Sequence, residues 1–317
     1  MNDLYEQMTI WGEIYPYFKI DKPVILIELF AGIGAQRKAL EILGVKINEE
    51  KSLICEWAFN SYIGYNAIHI KDFTDYSLGK TKEELIERIK GTSIDYNKPL
   101  TVDQLNRKPI EWIRKAYNNC IATHNLINIM DVKGEDLGDL DGISIMTYSF
   151  PCQDLSLAGN KKGMAVSQAE GGTRSGLLWE VERILLERKK DKLNLPTILI
   201  MENVPEVIGA NNIEHFKRWE EQLRNLGYSN YCEILNGKHY GIPPNRKRTF
   251  MISILGEYAY DFPCKMPLKY KLKDLLQKEV DEKYYLSQED IERISNWNAY
   301  EKPIDNAIDP ERERERE

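Results

Sequence analysis

Short apolar runs rich in β-branched residues alternate along the chain with stretches of helical periodicity. This alternation is typical of a mostly parallel sheet whose strands are connected by crossover helices. Most of the runs lack polar alternation, as expected for strands that are covered on both faces. The predicted strands are Val24–Leu29, Leu53–Glu56, Leu126–Met130, Ile143–Ser149, Ile198–Glu202, Tyr231–Leu235 and Thr249–Leu255.

Three segments between these runs carry one apolar stripe each and are predicted to be helices. They are Gly34–Leu43, Leu177–Arg188 and Glu214–Leu226. The pattern therefore predicts an α/β fold, in which a doubly wound, mostly parallel, Rossmann-like sheet has helices on both faces. We predict a leader over residues 1–20, a main domain over 21–255 with a polar, helix-leaning insertion over 70–119, a further region over 256–300 and a disordered tail over 301–317.

The composition is that of an ordinary globular protein, with 317 residues of which 42% are hydrophobic and 29% charged. No apolar run reaches the roughly 20 residues that a membrane span needs. The five cysteines are scattered singly, with neither zinc-type pairing nor a disulfide framework. This spacing predicts no metal site and a reducing cytoplasm as the location.

The formal net charge of −7 does not by itself indicate a nucleic-acid partner, because such binding depends on neutralising phosphates. The net charge does not report how charges are distributed, however, and basic residues concentrate in a few segments. These residues are Lys161, Lys162, Arg174, Lys238, Arg246, Lys247 and Arg248. The sequence therefore does not exclude a local basic face on an acidic protein.

A glycine-rich turn, Phe30-Ala31-Gly32-Ile33-Gly34, follows the first predicted strand and precedes a helix. Glycines at this place let the backbone turn tightly and approach a ligand at the helix N-terminus. The third position of the dinucleotide fingerprint requires a small residue, but this chain has Arg37 there. The turn therefore predicts a nucleotide-like ligand other than NAD.

Glu56 and Trp57 follow the second predicted strand, where an acid can accept hydrogen bonds from ribose hydroxyls and an aromatic ring can stack on adenine. Asp131 ends the third predicted strand and is placed to bind the adenine amino group, although it is equally typical of a turn or helix cap. Ribose and adenine contacts without a pyrophosphate cradle indicate S-adenosylmethionine.

The fourth predicted strand runs into Pro151-Cys152-Gln153. Most single cysteines are inert, buried side chains, and we expect this of Cys55, Cys120, Cys232 and Cys264. Cys152 differs because it ends a strand, next to a proline and before a polar loop.

Glu202 ends the fifth predicted strand within Glu202-Asn203-Val204. Ligands of open parallel sheets lie outside the carboxyl ends of the strands, so Cys152 and Glu202 are expected to converge there. Arg246 and Arg248 are two positions apart on an extended segment and are expected to point the same way.

In this order, F-A-G-x-G, P-C-Q, E-N-V and R-x-R before the last strand resemble the motifs of the cytosine-C5 DNA methyltransferase family, over roughly residues 22–255. The resemblance implies methyl transfer from S-adenosylmethionine to C5 of a cytosine flipped out of double-stranded DNA, within a restriction-modification or similar modification system. It implies that Cys152 attacks C6 of the base, Glu202 binds the N3 edge, Arg248 contacts O2 and Arg246 supports the active-site loop. It also implies a cofactor site lined by Phe30, Gly32, Ile33, Gly34, Glu56, Trp57, Asp131, Pro151 and Leu177.

Two departures from the family pattern stand out. Pro244 occupies a position where the family has glutamine. The family also continues with a target-recognition region and final motifs, one of them a G-N-S/A segment, and these are not found here. We therefore expect residues 256–300 to be the start of a truncated or split recognition region, with the missing parts either removed from the sequence or supplied by a second polypeptide.

Two other functions stay open. A tRNA-modifying branch of the family shares P-C-Q and E-N-V, so an RNA cytosine-C5 methyltransferase is one alternative. A catalytically incompetent DNA-binding or regulatory subunit is the other, because the recognition region is not found.

Overall fold

The computed structural model describes residues 6–8, 14–95, 98–151 and 174–295. Two short strands, β1 (Glu6–Met8) and β2 (Ile14–Pro16), pair antiparallel. The main sheet has six strands: β3 (Ile25–Leu29), β4 (Leu53–Cys55), β5 (Ser144–Tyr148), β6 (Ile198–Asn203), β7 (Tyr228–Asn236) and β8 (Lys247–Leu255). Their order across the sheet is β4-β3-β5-β6-β8-β7.

Four of these strands, β3 to β6, run parallel, whereas β8 runs antiparallel to both of its neighbours, β6 and β7. The α-helices that accompany the main sheet are α1 (Ala35–Ile42), α2 (Phe59–Tyr65), α3 (Lys82–Arg88), α4 (Val102–Asn106), α5 (Ile110–Ala122), α6 (Leu178–Lys190) and α7 (Ile213–Asn225). A π-helical turn, Asn66–Ile70, continues α2.

Both faces of the sheet are covered, as strand β3 illustrates. Ile25 and Ile27 belong to the apolar cluster that includes residues of α6 and α7. Leu26 points to the opposite face, where it belongs to a cluster with Leu40 of α1. The prediction of a doubly wound, mostly parallel α/β fold is therefore confirmed.

The segment 70–119 contributes α3, α4 and most of α5, and these helices share a third apolar cluster with α2. The start of α3 is stabilised by a local sequence signal. The Thr81 side chain accepts a hydrogen bond from the Glu84 amide, and the Glu84 carboxylate accepts one from the Thr81 amide. Such a reciprocal capping box satisfies amide groups that would otherwise have no partner at the helix start.

The predicted strand Leu126–Met130 is wrong. Asn125 forms only an isolated bridge with Ile54 of β4, and Ile127 has a φ of +64°, which a strand does not allow. The Asn125 side chain accepts a hydrogen bond from the Ile127 amide at 2.8 Å. Asparagine side chains compete in this way with ladder hydrogen bonds and favour turns.

The other predicted strands exist with shifted ends. The largest change is in β7, which spans Tyr228–Asn236 rather than Tyr231–Leu235.

The chain divides into two compact units, Met1–Leu268 and Lys269–Glu317. In the second unit, helical turns at Leu272–Leu275 and Glu282–Tyr284 precede α8 (Gln288–Ser295). The sequence-derived boundaries at residues 255 and 300 stay a prediction, and the predicted tail lies outside the described residues. Within the described ranges, none of the helices is long and apolar enough to cross a membrane.

Candidate active site

The candidate site lies where the order of strands reverses. β3 is followed along the chain by β4 on one side and is paired with β5 on the other. In open α/β sheets, ligands bind outside the carboxyl ends of the strands at such a switch point. The segments that leave these ends are Phe30–Gly34 after β3, Glu56–Trp57 after β4 and Ser149–Pro151 after β5.

The turn Phe30–Gly34, which we call the cofactor loop after its predicted role, has an unusual backbone. Phe30, Gly32 and Gly34 have φ values of +60°, +56° and +81°, and this region is disfavoured for residues other than glycine. The Phe30 amide is fixed by a 2.8 Å hydrogen bond to the Cys55 carbonyl. A Cβ atom added to Gly32 would meet nothing within 4 Å, so open space lies against this glycine.

Glu56 fastens the cofactor loop to the end of β4. Its carboxylate accepts hydrogen bonds from the Gly32 amide at 2.8 Å and the Ala58 amide at 2.7 Å. Burial raises the pKa of Glu56, and the two amide hydrogen bonds oppose this effect. A carboxylate has about four acceptor sites, so the same group can also receive hydroxyl donors.

The other predicted cofactor residues lie around the same edge. Trp57 is half-buried against the helical cluster, and Pro151 is half-buried after β5. Leu177 is buried in the main core immediately before α6. Asp131 is exposed in a turn, where it accepts a 2.7 Å hydrogen bond from the Asn128 side chain.

Arg183 of α6 holds that turn and was not found by sequence reasoning. Its guanidinium donates to the carbonyl oxygens of Ile129 at 3.2 Å and Val132 at 2.7 Å. It also forms ion pairs with Glu180 and Glu187, each at 2.8 Å. The helix that begins beside the cofactor edge thereby fixes the backbone on both sides of Asp131.

A buried polar network behind the cofactor loop was also missed. Glu28, inside β3, accepts hydrogen bonds from the Tyr65 hydroxyl and, at 3.2 Å, from the Arg37 amide. Burial raises the pKa of Glu28 to about 7. The guanidinium of Arg37 is itself buried and pairs with Glu41 and Glu49, so Arg37 serves the interior of the protein.

Cys152 lies outside the described residues, but the segment leading to it is fixed. The Asn203 side chain, buried at the end of β6, donates a 3.0 Å hydrogen bond to the Phe150 carbonyl. This contact joins the E-N-V segment to the chain two residues before Cys152. Sequence reasoning singled out Glu202 in that motif and missed Asn203.

Glu202 and Arg248 meet across the antiparallel pair β6–β8. The Arg248 Nε atom lies 3.0 Å from a carboxylate oxygen of Glu202, and both side chains are about three quarters buried, with 24% and 25% exposed. The register brings this about, because Glu202 pairs with Phe250 and Arg248 lies two positions before it on the same face.

Arg246 is exposed in the turn between β7 and β8. Its amide donates to the Pro244 carbonyl at 3.0 Å, and its carbonyl accepts from the Gly237 amide at 3.1 Å. Proline at position 244 keeps this backbone acceptor, which any residue would provide, and lacks the polar side chain of glutamine. Exposed Lys238 and Lys247 flank Arg246, which makes the turn basic.

The expectation for the other cysteines is only half right. Cys55 and Cys120 are buried, but Cys232 and Cys264 are exposed. Cys232 lies on β7, the strand at the edge of the sheet, and Cys264 lies beyond the last strand.

The doubly wound, mostly parallel sheet, with Glu56 after β4 and the Glu202–Arg248 pair between β6 and β8, has the architecture of the Rossmann-like methyltransferases. The particular family follows from comparison of sequences. The profile described as "C-5 cytosine-specific DNA methylase" matches residues 82–316. The chain belongs to this family of DNA cytosine-C5 methyltransferases, which use S-adenosylmethionine as the methyl donor.

Individual relatives agree with this assignment. The chain is 36% identical over 272 residues to the orphan methyltransferase M.SssI of Spiroplasma monobiae, covering 84% of this chain and 68% of that protein. It is 35% identical over 269 residues to the type II methyltransferase M2.ScrFI of Lactococcus lactis subsp. cremoris, covering 84% and 71%.

A solved structure supports the fold. The Dnmt2 methyltransferase of S. pombe superposes with a TM-score of 0.54 at 17% identity, over 87% of this chain and 66% of that one. This chain thus spans about two thirds of the length of the proteins it resembles.

Proposed function

We propose that this chain transfers the methyl group of S-adenosylmethionine to C5 of a cytosine flipped out of double-stranded DNA. The observation that carries the proposal is the Glu202–Arg248 pair at 3.0 Å, next to Asn203 and its hydrogen bond to Phe150. An acid and a cation in contact, next to a residue that is hydrogen-bonded to the chain two positions before Cys152, support this assignment. The names of the relatives, which are type II and orphan methyltransferases, support a role in a restriction-modification or similar modification system.

The residues at the carboxyl edge fit S-adenosylmethionine. Gly32 has open space against it, and the Glu56 carboxylate beside it retains acceptor sites for ribose hydroxyls. Trp57, Asp131 and Pro151 would complete the binding surface, together with Phe30, Ile33, Gly34 and Leu177. When bound, the cofactor supplies the methyl group.

Cys152 makes the poorly nucleophilic cytosine ring reactive. Its thiolate forms a bond to C6 and shifts electron density to C5, which then takes up the methyl group. The C5 proton is lost to a base, and the electron pair left in the ring expels Cys152. Glu202 stabilises the charge that develops at N3 by sharing a proton, and Arg248 stabilises the charge at O2.

The target base is unreachable inside a stacked duplex, so DNA must be bound with the base rotated out. We assign the basic turn between β7 and β8 to the DNA backbone. Lys238, Arg246 and Lys247 are exposed there, next to the Glu202–Arg248 pair. Because phosphate contacts release counterions, binding by this turn should weaken steeply with salt.

We further propose that a second polypeptide covers apolar side chains of the cofactor loop. Ile33 on the cofactor loop is 56% exposed, and Phe30 on the same loop is only partly buried. Exposed apolar strips usually mark an interface. The segment that supplies target recognition and the G-N-S/A motif would suit this place.

The assay that tests the proposal measures tritium transfer from labelled S-adenosylmethionine to duplex DNA and to tRNA. We expect transfer to DNA, none with Cys152→Ser, and near-normal transfer with Cys232→Ser, which changes an exposed cysteine. Serine is similar in size to cysteine, so the Ser variant should bind cofactor within a few-fold of the original. Its oxygen is a far weaker nucleophile than a thiolate, so methyl transfer should be lost. DNA carrying 5-fluorocytosine should form a covalent adduct at Cys152 alone.

Three results would contradict the proposal. Turnover by Cys152→Ser would exclude the covalent route, and transfer to tRNA alone would favour the RNA enzyme. Cofactor and DNA binding without transfer, with and without a polypeptide that supplies target recognition, would favour a regulatory subunit. When a polypeptide that supplies target recognition is added, we expect cofactor affinity and site-specific methylation to rise together. Efficient methylation of one defined sequence by the 317-residue chain alone would exclude the need for a second polypeptide.

A further inference from the structure

His69 lies directly against the cofactor loop, although nothing in its sequence context points to it. It belongs to the π-helical turn Asn66–Ile70, and its side chain is only 2% exposed. The Nε2 atom lies 3.0 Å from the Ile33 carbonyl oxygen. Since a carbonyl oxygen can only accept, Nε2 carries the proton in this contact.

The imidazole also occupies the space next to Gly34. A Cβ atom added to Gly34 would lie 2.5 Å from Nε2 and 2.8 Å from Cδ2 of His69. Gly34 has a φ of +81°, so the backbone and the histidine both require glycine there. His69 therefore touches the cofactor loop at two consecutive residues.

The other ring nitrogen faces α1. Nδ1 lies 3.5 Å from a carboxylate oxygen of Glu41, which is within ion-pair range, but it has no hydrogen-bond partner among the described residues. Glu41 is held in turn by Arg37 at 3.0 Å. The ring also packs against Tyr65, with 5.0 Å between centroids. His69 thus connects the cofactor loop to the buried network of Glu28, Arg37 and Tyr65.

The cofactor loop needs such support. Three of its five residues have positive φ values, including the non-glycine Phe30, and backbone in these regions persists only where the surroundings hold it. π-helical turns are rare and are frequent at functional sites. Here the π turn is the element that presents His69 to the loop.

We propose that His69 is a positioning residue that holds the cofactor loop in its binding conformation before S-adenosylmethionine arrives. The inference rests on the proposed function, because it takes Phe30–Gly34 as the cofactor loop. A preformed loop loses less conformational freedom on binding, which increases affinity. Loss of His69 should consequently weaken cofactor binding and leave the chemical step intact.

The test compares His69→Leu, which removes the hydrogen bond, with His69→Gln, which retains a donor for the Ile33 carbonyl. Calorimetry should show about 10-fold weaker binding of S-adenosylmethionine for His69→Leu and recovery to within about 3-fold for His69→Gln. With saturating cofactor, kcat should stay within about 2-fold of the original. A structural residue with no role in positioning would lower thermal stability without this split between KM and kcat.

His124 offers a matched control. Its Nδ1 atom lies 2.9 Å from the Ser52 carbonyl, at the amino end of β4 and away from the cofactor loop. His124→Leu should lower the melting temperature without weakening cofactor binding.

Unchanged affinity in His69→Leu, no recovery in His69→Gln or an equal loss in His124→Leu would each overturn the positioning role and leave the proposed function standing. Failure of the original protein to bind S-adenosylmethionine would overturn both. The two failures are therefore distinguishable.

Discussion

The side-chain amide of Asn203 donates a hydrogen bond to the carbonyl oxygen of Phe150, and the two atoms are 3.0 Å apart. The amide oxygen of the same side chain accepts from the Val204 amide at 2.9 Å. Both polar atoms of a buried side chain are thus used at the junction of β5 and β6. The end of one strand determines where the segment leading to Cys152 begins.

Replacing Asn203 by alanine should therefore impair the chemical step. The variant leaves the buried Phe150 carbonyl without a donor, at a cost of about 1–3 kcal/mol in unfolding free energy. A misplaced nucleophile should lower kcat by about 100-fold, while cofactor affinity changes little. Single-turnover methylation, calorimetry and urea unfolding measure the three effects.

Asn230→Ala is the matched control for Asn203, because the Asn230 amide also donates to a backbone carbonyl, that of Glu220, at 3.3 Å. It lies near the start of β7, away from the site. Similar losses of kcat in the two variants would argue against a positioning role for Asn203.

The Glu202–Arg248 pair should behave as one unit in catalysis. Glu202→Gln and Arg248→Met should each lower kcat by about 100-fold to 1,000-fold, because each removes a group that stabilises charge in the transition state. The double variant should lose much less than the product of the two, since the residues are in contact. Exposed Arg224, which pairs with Glu220 on α7, provides a control in Arg224→Met. Full additivity in single-turnover rates would mean that the two side chains act separately.

Removal of the Glu56 carboxylate should weaken cofactor binding. Glu56→Ala loses the predicted ribose contact and the fastening of Gly32, so S-adenosylmethionine affinity should fall by about 1–3 kcal/mol in calorimetry. Glu50→Ala, which changes an exposed acid before β4, should bind normally. NAD should not bind to any of these proteins. Unchanged affinity in Glu56→Ala would exclude the ribose contact and leave Glu56 only the structural role of joining the loop to the end of β4.

Glu28 should make stability depend on pH. Its folded-state pKa is about 7, against an ordinary value of 4.5, because of burial. Between these values the folded protein holds a proton that the unfolded chain releases, so the free energy of unfolding falls as pH rises. The stabilising contribution is fully present below 4.5 and is lost by the time pH reaches about 7.

Glu28→Gln should remove this dependence, since the amide stays neutral. The unfolding free energy of the variant relative to the original should rise by about 3 kcal/mol from pH ~4.5 to pH ~7 and then level off. Urea titrations over that range check the result, with Glu50→Gln as an exposed control. A flat difference across the range would show that Glu28 is already ionised in the folded protein.

The fold could be predicted largely because buried parallel strands have a simple signature. β3, β5 and β6 are buried and mostly apolar, and the motif residues predicted for the site lie at or just beyond their ends. The segment after Asn125 was mispredicted because its apolar residues resemble a strand. In the structure the Asn125 and Asn128 side chains accept hydrogen bonds from the Ile127 and Met130 amides, and these turn the backbone. Local periodicity does not register such competition.

Sequence reasoning singled out Glu56, Glu202 and Arg248 because the expected chemistry demands these residue types, and their roles stay predictions. His69, Arg183 and Asn203 could not be found in this way. Each acts by donating to a backbone carbonyl that is distant in sequence, and any polar residue in a helix or at a strand end has the composition for that role. Only the three-dimensional pairing of segments distinguishes these residues from solvated ones.

The reversed direction of β8 affects the order in which the protein assembles. β7 and β8 are joined by residues 237–246 alone, so their pairing closes a short loop and loses little chain entropy. The hydrogen bond from Asn203 to Phe150 instead joins residues 53 positions apart, across a crossover between parallel strands. Since local contacts form faster than distant ones, we expect the hairpin that carries Arg246 and Arg248 to form early. The junction between β5 and β6, which leads to Cys152, would then be among the last parts to become ordered during folding.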